Sequence, residues 1–399
     1  MTRPRLGIDD VKVGGRRVLV RVDFNVPMDG LRIVDDRRIR AALPTLATLR
    51  ARGAQVVVAT HLGRPQGRPV EALRVAPLAG RLGELLELQV NVSQDVAGPS
   101  ARALVAGMRD GDVVMLENVR FESGEERDDA TLSAHLAALA DLYVDDAFGA
   151  AHRAHASTHG VARLLPAYAG LLMQRELEML GRVLRDPARP LVAIIGGSKI
   201  SSKLGVLRML MHRVDTLWVG GAMACTFYRA LGEETGTSLV ELDQVDVAAA
   251  LLEEARGAGV ADLRLPIDVV VAPSLEAGAG TATVSWKEIS PDQAVVDVGA
   301  DTVAAIGADC QVAGTVVWNG PLGIYEVEAF AHGTRGVAGA LAGSDATTVV
   351  GGGDLVAALD AAGLTDRMGF VSTGGGATLE LLEGRILPGV AVLRERPQS

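Results

Sequence analysis

Short apolar runs recur along this chain, separated by longer stretches with helical spacing. In the first half the runs cover 17–24, 54–60, 112–118 and 141–147, and in the second half they read PLVAIIGG, TLWVGG, VVDVG, TVVWNG and TTVVGGG. Runs that are apolar at consecutive positions are typical of strands buried on both faces of a parallel sheet. Their alternation with helical stretches predicts βα units, and therefore doubly wound, Rossmann-like α/β sheets.

The stretch 35–53 shows the helical spacing most clearly. Its apolar residues fall three or four positions apart, at Ile39, Leu43, Leu46 and Leu49. This spacing places them on one face of a helix, and Gly53 supplies a natural end.

The chain is long enough for two domains, since its 399 residues exceed the usual size of one. A second amphipathic helix, with leucines at 172, 177, 180 and 184, precedes two prolines at 187 and 190. We therefore predict domains at 1–170 and 190–383, joined by a hinge helix at 171–189. The closing segment 384–399 lacks a complete βα unit and could pack on either domain.

Composition excludes several classes of protein. Acidic residues outnumber basic ones by 49 to 39, which gives a formal charge of −10 and disfavours a nucleic-acid partner. The N-terminus has no apolar signal region, and no 18 apolar residues run together, so we expect no membrane segment and a cytoplasmic location. The two cysteines, Cys225 and Cys310, show no disulfide or metal spacing.

Polar residues and glycines follow nearly every apolar run, at the strand ends where open α/β sheets bind ligands. The first half places arginines there, together with a histidine and two short polar residues: Arg38, Arg64, Arg120, Arg153, His61, Asp23 and Asn25. A single arginine after a strand is usually a surface ion pair. Four of them favour a small, multiply charged anion, because each guanidinium can grip carboxylate or phosphate oxygens with two parallel bonds.

The second half uses lysine and glycine instead. Lys199 and Lys203 follow IIGG, and further glycine turns occur in GGAMA, GGGD and TGGGA. Lysine and exposed backbone N–H groups suit phosphate oxygens, and Asp354 after the glycines could hold Mg²⁺ through one carboxylate. An anion in one domain and a polyphosphate in the other indicate phosphoryl transfer.

Other interpretations fit the residues less well. The run HRAHASTH at 152–159 lacks the acidic or thiol partners of a zinc site, and Asp145 and Asp146 could equally cap the following turn. The chain has neither a G-x-G-x-x-G opening a first βαβ unit nor a Walker A loop, which disfavours a dehydrogenase and a P-loop ATPase. A two-lobed solute-binding protein also closes on anions, but it would need a secretion signal.

Seven motifs together resemble the phosphoglycerate kinase family, in the family's order from Arg21 to Gly384. They are RVDFNVP (21–27), HLGRP (61–65), ENVRF (117–121), DDAFGAAHRAH (145–155), WNGPLGIYE (318–326), GGGD (351–354) and STGGGATLELLEG (372–384). The resemblance implies reversible, Mg²⁺-dependent transfer between ATP and 3-phosphoglycerate, giving ADP and 1,3-bisphosphoglycerate. It also implies a monomer, and a closing segment packed on the first domain.

The same resemblance assigns residues to roles. The phosphoglycerate would be bound by Asp23, Asn25, Arg38, His61, Arg64, Arg120 and Arg153. The nucleotide would be bound by Lys203, Asn319, Glu326, Gly352, Gly353, Asp354 and Leu355, with Asp354 also on the metal. The phosphoryl group in transit would be surrounded by Arg38, Lys199, Gly374, Gly375 and Gly376.

Three residues depart from the family's pattern. Leu355 stands where a Thr or Ser usually follows GGGD, Ser202 replaces the usual Asp before the second lysine, and Ser198 replaces the usual Ala. We expect these changes to alter nucleotide affinity and to leave the reaction in place.

A carboxylate acceptor would also explain the composition of the motifs. With a pKa of about 4 it is already ionised at neutral pH, so no general base is needed. The predicted site accordingly contains cations and glycines, which offset the repulsion between two anions.

Overall fold

A computed structural model describes residues 4–276 and 278–396. The ends of the predicted first domain and closing segment, 1–3 and 397–399, lie outside the described residues. The chain forms two compact units. One runs to Glu178 and takes in the closing segment from Ile386 onward, and the other is Met179–Arg385.

The first unit is built on six parallel strands. Its elements in chain order are β1 (Arg17–Val22), β2 (Met28–Asp29), β3 (Arg32–Ile33), α1 (Arg37–Ala51), β4 (Gln55–Ala59), α2 (Ala76–Leu86), β5 (Asn91–Val92), α3 (Pro99–Ala106), β6 (Val113–Met115), α4 (Ala130–Ala137), β7 (Leu142–Asp146) and β8 (Ala167–Ala169). The sheet order is β5-β6-β4-β1-β7-β8, with β2 and β3 as a separate hairpin. After β1, the strands β4, β6 and β5 extend the sheet on one side of β1. The chain then returns to form β7, which pairs with the other side of β1. The reversal between these strands is where such sheets bind ligands.

Helix α1 lies where the spacing of apolar residues predicts it. Ile39, Leu46 and Leu49 are fully buried on its inner face, while Leu43 is only partly buried. The chain turns away through Gly53, whose φ of +76° suits glycine.

The second unit contains another six-stranded parallel sheet. Its elements are β9 (Leu191–Ile195), α6 (Leu204–Met211), β10 (Thr216–Val219), α7 (Met223–Ala230), α8 (Val245–Glu254), β11 (Asp262–Arg264), β12 (Asp268–Ala272), β13 (Ala282–Ser285), β14 (Ala294–Val298), α9 (Ala300–Val312), β15 (Thr315–Asn319), α10 (His332–Ala342), β16 (Thr347–Gly351), α11 (Gly353–Ala361), β17 (Phe370–Val371) and α12 (Gly376–Leu382). The order β11-β10-β9-β15-β16-β17 is the Rossmann arrangement, which reverses between β9 and β15. Two Rossmann-like parallel sheets confirm the predicted fold class.

One predicted parallel strand is wrong in its pairing. The run VVDVG forms β14, which pairs antiparallel with β12 in a separate sheet of order β13-β12-β14. A short apolar run carries no information about the direction of its neighbour, because both kinds of sheet can bury it on two faces.

Helix α5 (Leu171–Arg185) ends just before the two prolines. The residues it buries most completely are Met173, Glu176, Leu180 and Val183, whereas three of the four leucines that predict the helix are half-buried. The border between the two units, after Glu178, falls inside this helix.

The start of α5 is fixed by side chains of the first sheet and of α1. Asp146 Oδ1, at the end of β7, accepts bonds from the N–H groups of Leu172 and Met173 at 3.0 and 3.3 Å. Thr45 Oγ1 accepts the N–H of Leu171 at 2.9 Å. These acceptors satisfy N–H groups that the first turn of a helix leaves unpaired.

The closing segment packs on the first unit. It contains a short helix, α13 (Pro388–Ala391), and Gly389 N donates to Ala151 O at 2.9 Å. Arg394 N donates to Ala167 O at 3.0 Å, and Arg394 O accepts from Leu6 N at 2.8 Å. Within the described ranges, no helix is both long and apolar enough to cross a bilayer.

Candidate functional site

The carboxyl ends of the first sheet bring together five of the predicted residues, which we call the arginine basin: Asp23 and Asn25 after β1, Arg38 in the first turn of α1, His61 after β4, and Arg120 after β6. Asp23 lies at its centre. Arg38 Nη1 donates to Asp23 Oδ2 at 2.6 Å, and Asn25 N donates to Asp23 Oδ1 at 3.2 Å. His61 Nδ1 is 3.9 Å from the same oxygen, too far for a hydrogen bond.

Asn25 and Arg120 hold the turn that follows β4. Gly63 N donates to Asn25 Oδ1 at 2.8 Å, and Arg120 Nη1 donates to Gly63 O at 2.7 Å. Arg120 is buried, and its Nε has no hydrogen bond although Glu126 Oε1 lies 3.4 Å away. This nitrogen therefore retains an unused donor within a positively charged region.

Burial controls the protonation of the basin. It lowers the pKa of His61 well below 6.5, and the charges of Arg21 and Arg120 lower it further against the opposing effect of Asp23. For Asp23, burial disfavours the charged form, but the positive charges of the surrounding basic side chains outweigh it and hold the pKa below its usual value, and at neutral pH those charges are on Arg38 and Arg21. At neutral pH the histidine is uncharged and the aspartate is ionised, so the positive charge comes from the arginines.

Two further predicted arginines are exposed. Arg153 Nε donates to His152 Nε2 at 3.0 Å, and its charge helps to lower the pKa of Arg120, for which burial is the larger cause. Arg64 follows Gly63 and makes no ion pair with any side chain in the described ranges. Arg153 thus lies near the basin, and Arg64 extends from its turn.

The predicted set misses Arg21. This residue lies inside β1, is 1% exposed, and places Nη2 at 3.1 Å from His61 Nδ1. The available signal was a charged residue within an otherwise apolar strand, because such a residue must have buried partners.

In the second unit, three strand ends meet backbone to backbone in what we call the glycine cradle: Gly196–Gly197 after β9, Gly220–Gly221 after β10 and Gly320–Pro321 after β15. A Cβ on Gly320 would lie 2.4 Å from Gly196 O, and one on Gly221 would lie 2.5 Å from Gly197 O. Their φ angles are +87° and +70°. Only glycine allows this close approach.

Lys203 and Asn319 lie beside the cradle. Lys203 Nζ donates to Asn319 Oδ1, and Asn319 Nδ2 is buried without a hydrogen-bond partner. Burial lowers the pKa of Lys203 to about 8, while the charge of Asp354 acts in the opposite direction. The structure therefore brings these three predicted residues together. Lys199 is exposed on the loop after β9.

A cavity of about 600 Å³ adjoins the cradle, which is a size that suits a small organic ligand. Glu326 and Asp354 lie among its polar lining residues. Its walls are mainly apolar and include Leu239, Pro273, Leu275, Val296, Pro321, Leu322 and Ile324. The sequence assigned none of these seven to a site. Pro321, Leu322 and Ile324 lie within the motif at 318–326, whereas the other four come from loops and from β14, which carry no motif of their own.

The turn before α11 supplies backbone donors rather than side chains. Gly352 has a φ of +101°, and Asp354 is exposed in the first turn of the helix. The side chain of Leu355 is fully buried in the apolar core with Trp318 and Val350. Only its N–H, in the first helical turn, remains available to a ligand.

The glycines at 374–376 form the turn into α12. Gly374 N donates to Ser372 Oγ at 3.1 Å, and that hydroxyl lies 2.6 Å from Thr378 Oγ1. Gly375 has a φ of +52°. These bonds fix the shape of the turn.

Asp145 and Asp146 have structural partners. Asp145 Oδ1 accepts the N–H of Ala147 at 2.9 Å and so caps the following turn, whereas Asp146 caps α5 as described above. Burial raises the pKa of each to about 7. His159 Nδ1 lies 2.6 Å from Asp128 Oδ2, which is hydrogen-bonding distance.

The sequence of this chain is similar to those of known proteins. The family model described as phosphoglycerate kinase matches residues 8–385. The phosphoglycerate kinase of Thermomicrobium roseum is 54% identical over 388 residues, covering 97% of this chain and 99% of that protein. That of Moorella thermoacetica is 50% identical over 392 residues, covering 98% and 100%.

Solved structures agree with the sequence comparison. The phosphoglycerate kinase from Coxiella burnetii has a TM-score of 0.88 at 41% identity, covering 98% of each chain. That from Pyrococcus horikoshii OT3 has a TM-score of 0.87 at 32% identity, covering 97% of this chain and 98% of the other. Each match extends across both units.

Proposed function

The chain belongs to the phosphoglycerate kinase family, and we propose how its residues carry out the reaction of that family. It is a kinase of glycolysis that transfers a phosphoryl group between ATP and 3-phosphoglycerate. In our proposal the unit with the arginine basin binds the phosphoglycerate, and the unit with the glycine cradle binds the nucleotide. The observation that supports this most strongly is that each group of residues lies at the carboxyl ends of strands that include one next to the reversal of its sheet order, β1 for the basin and β9 and β15 for the cradle.

The arginine basin suits 3-phosphoglycerate, which carries a phosphate and a carboxylate. Arg38 and Arg120 are permanently charged, and Asn25 and His61 add neutral polar groups for orientation. Asp23 holds Arg38 at 2.6 Å before the substrate arrives. We propose that Arg64 and Arg153, which are exposed, complete the set by turning toward the bound anion.

The second unit suits a nucleotide. The apolar cavity can take the base, Glu326 at its rim can accept bonds from sugar hydroxyls, and Lys203 with Asn319 can meet phosphate oxygens. First-turn N–H groups of α11 add backbone donors, including that of Leu355. Because Leu355 offers no hydroxyl, the phosphates have one bond fewer available here than a Thr or Ser would allow.

Mg²⁺ fits the residues present. Asp354 is an exposed carboxylate at the start of α11, and the described residues contain no group of three or more metal-binding side chains. This is the donor set expected for Mg²⁺ that is held by one carboxylate together with substrate phosphates. When bound, the ion would neutralise charge on the phosphate oxygens.

The chain's own residues then have to neutralise charge and fix positions. The acceptor carboxylate is ionised at neutral pH, so no side chain has to remove a proton from it. We propose that Arg38, Lys199 and the N–H groups of Gly374, Gly375 and Gly376 stabilise the transferring phosphoryl group during direct in-line transfer.

Transfer requires the two bound substrates to meet, and we propose that the hinge helix α5 bends to permit this. Closure would also exclude water, which otherwise hydrolyses an acyl phosphate. Small-angle X-ray scattering should show a smaller radius of gyration with both substrates present than with either alone. An unchanged radius would contradict closure.

We also propose that the enzyme acts as a monomer in the cytoplasm, which size-exclusion chromatography and fractionation can test.

A coupled assay tests the function itself. The purified protein should produce ADP from ATP only when 3-phosphoglycerate and Mg²⁺ are both present. A protein that binds 3-phosphoglycerate but produces no ADP would contradict the proposed residue roles and favour a solute-binding protein.

A further inference from the structure

A buried series of hydrogen bonds lies beneath the arginine basin, in residues that the proposed reaction does not use directly. Glu125 is fully buried and accepts two bonds from Ser157, from N at 2.9 Å and from Oγ at 2.5 Å. Ser157 Oγ accepts from Arg21 Nε at 2.8 Å. Arg21 Nη2 then lies 3.1 Å from His61 Nδ1. The series connects a buried carboxylate with the imidazole at the end of β4.

Each bond that Arg21 makes in this series has one possible direction. A guanidinium has donors only, so His61 Nδ1 must accept from Arg21 and the imidazole proton must be on Nε2. Ser157 Oγ likewise accepts from Arg21, which leaves its own proton to be donated to Glu125. The donors of Arg21, in the middle of the series, therefore fix the direction of its bonds to Ser157 and to His61.

Arg21 is unusual because it is a buried cation without a directly bound carboxylate. Its partners are Ser157 Oγ, His61 Nδ1 and the carbonyl oxygen of Val22, and within the described residues no ion pair involves it. The carboxyl group of Glu125 is reached only through the intervening serine, and burial raises its pKa although the charge of Arg21 acts in the opposite direction. The neighbouring His155, with Nδ1 3.7 Å from Glu125 Oε1, is uncharged at neutral pH because burial lowers its pKa to about 4.

We propose that Glu125 and Ser157 are positioning residues for phosphoglycerate binding: they fix Arg21, and through it they hold His61 as the neutral Nε2–H form that donates one hydrogen bond to the substrate. The identity of that substrate rests on the proposed function. The arginines supply attraction, and His61 supplies orientation. No hydrogen-bond partner for Nε2 is found among the described residues, so this donor is available.

Nitrogen-15 NMR of the imidazoles in the intact protein tests the first part without any substrate. The wild-type His61 should show a protonated Nε2 and an unprotonated Nδ1, unchanged between pH 6 and pH 8. A protonated Nδ1 at neutral pH would overturn the proposal. Because this measurement needs no catalysis, its result stands apart from the coupled assay that tests the proposed function.

Ser157→Ala tests the second part. Loss of the link should shift the His61 nitrogen signals and raise KM for 3-phosphoglycerate by about tenfold, the size of one lost hydrogen bond to a charged group. KM for ATP should stay within about twofold, because the substitution removes no hydrogen bond from the unit that we propose binds the nucleotide. Ser93→Ala is a matched control, since Ser93 is also a buried serine of this unit, bonded to Asp95 at 3.3 Å.

Glu125→Gln provides a second variant, in case Ser157→Ala does not fold. It keeps one of the two acceptor oxygens that Ser157 uses and removes the other together with the carboxylate, and we expect shifts in the same direction for the His61 signals and for KM. If the folded variants behave like Ser93→Ala in both readouts, the positioning role is overturned.

Discussion

The two candidate half-sites reach similar chemistry by different means. The arginine basin uses side chains that are held by other side chains, as Asp23 holds Arg38 and Asn25 holds the turn at Gly63. The glycine cradle uses the backbone itself, which approaches within distances that exclude any side chain at Gly320. The basin is thus specified by residue identity, and the cradle by the absence of side chains.

The difference also concerns pH. Guanidinium groups keep their charge throughout the working range of an enzyme, so we expect the positive charge of the basin to be independent of pH. In the cradle the predicted cation near the phosphates is Lys203, whose pKa burial lowers to about 8. We therefore expect a rise in pH to weaken ligand binding by the cradle and to leave ligand binding by the basin unchanged.

The largest effect is expected for Arg38→Ala. Without the positive charge of Arg38 beside the transferring phosphoryl group, kcat should fall by about 100- to 1000-fold, as it does when other preorganised donors are removed. KM for ATP should change much less. Steady-state kinetics with each substrate varied gives both values. Arg40→Ala is the control, because Arg40 lies on the same helix and bonds to Asp36 at 2.9 Å. An unchanged kcat would remove Arg38 from the transfer step.

The backbone contacts of the cradle should be almost as sensitive. Gly320→Ala forces a Cβ to 2.4 Å from Gly196 O and should destabilise the protein by about 3 kcal/mol, measured by chemical unfolding. Gly232→Ala separates strain from collision, because its φ is also +87° but nothing lies within 4 Å of the added carbon. The control should lose only about 1 kcal/mol. Equal losses would show that the close approach is unimportant.

Raising the pH should separate the halves. A lysine with a lowered pKa loses its positive charge as the pH rises through that value, so kcat/KM for ATP should fall about fivefold between pH 8 and pH 9 if Lys203 meets the phosphates. KM for 3-phosphoglycerate should stay constant over the same range. Lys203→Arg, which stays charged, should abolish the fall. A parallel decline for both substrates would contradict the contrast between the halves.

The smallest effect concerns stability. Burial raises the pKa of Asp145 from 3.8 to about 7, so the folded protein holds this proton more tightly than the unfolded chain does. Between about pH 4 and 7 the folded state therefore binds more protons, and stability must fall as the pH rises. Asp145→Asn, which keeps an acceptor for Ala147, should remove on the order of 1 kcal/mol of this dependence, measured by urea unfolding at pH 5 and pH 7.

Asp297→Asn is the counterpart in the other unit. Burial raises the pKa of Asp297 to about 7 as well, but both of its oxygens accept backbone bonds, from Gly333 N at 2.7 Å and Val298 N at 2.9 Å. Since an amide has only one acceptor oxygen, this variant should be destabilised at both pH values. If Asp145→Asn were destabilised equally at both pH values, the raised pKa of Asp145 would not be the cause of the pH dependence.

Much of the fold follows from the sequence because the strands are short, apolar and followed by distinctive residues. The runs that form β1, β4, β9 and β15 lie at the predicted positions, and α1 ends at Ala51, two residues before the predicted Gly53. The pairing of β14 did not follow, because strand direction depends on distant partners.

The candidate site was predictable where motifs carry it and not elsewhere. Asp23, Arg38 and His61 lie together because each follows the end of a strand in one sheet or begins the next helix. Arg21 was hidden inside a strand, and the cavity walls at Leu239 and Leu275 come from loops whose shape depends on packing. Leu355 lies at a predicted position, but its side chain is in the core.

Isothermal titration calorimetry tests the division of labour between the units most directly. Wild-type protein, Arg38→Ala and Lys203→Met are each titrated with 3-phosphoglycerate and, separately, with ADP and Mg²⁺. The account predicts that Arg38→Ala weakens only the 3-phosphoglycerate titration and that Lys203→Met weakens only the ADP titration. Folded variants that weaken the opposite ligand, or both ligands equally, would contradict it.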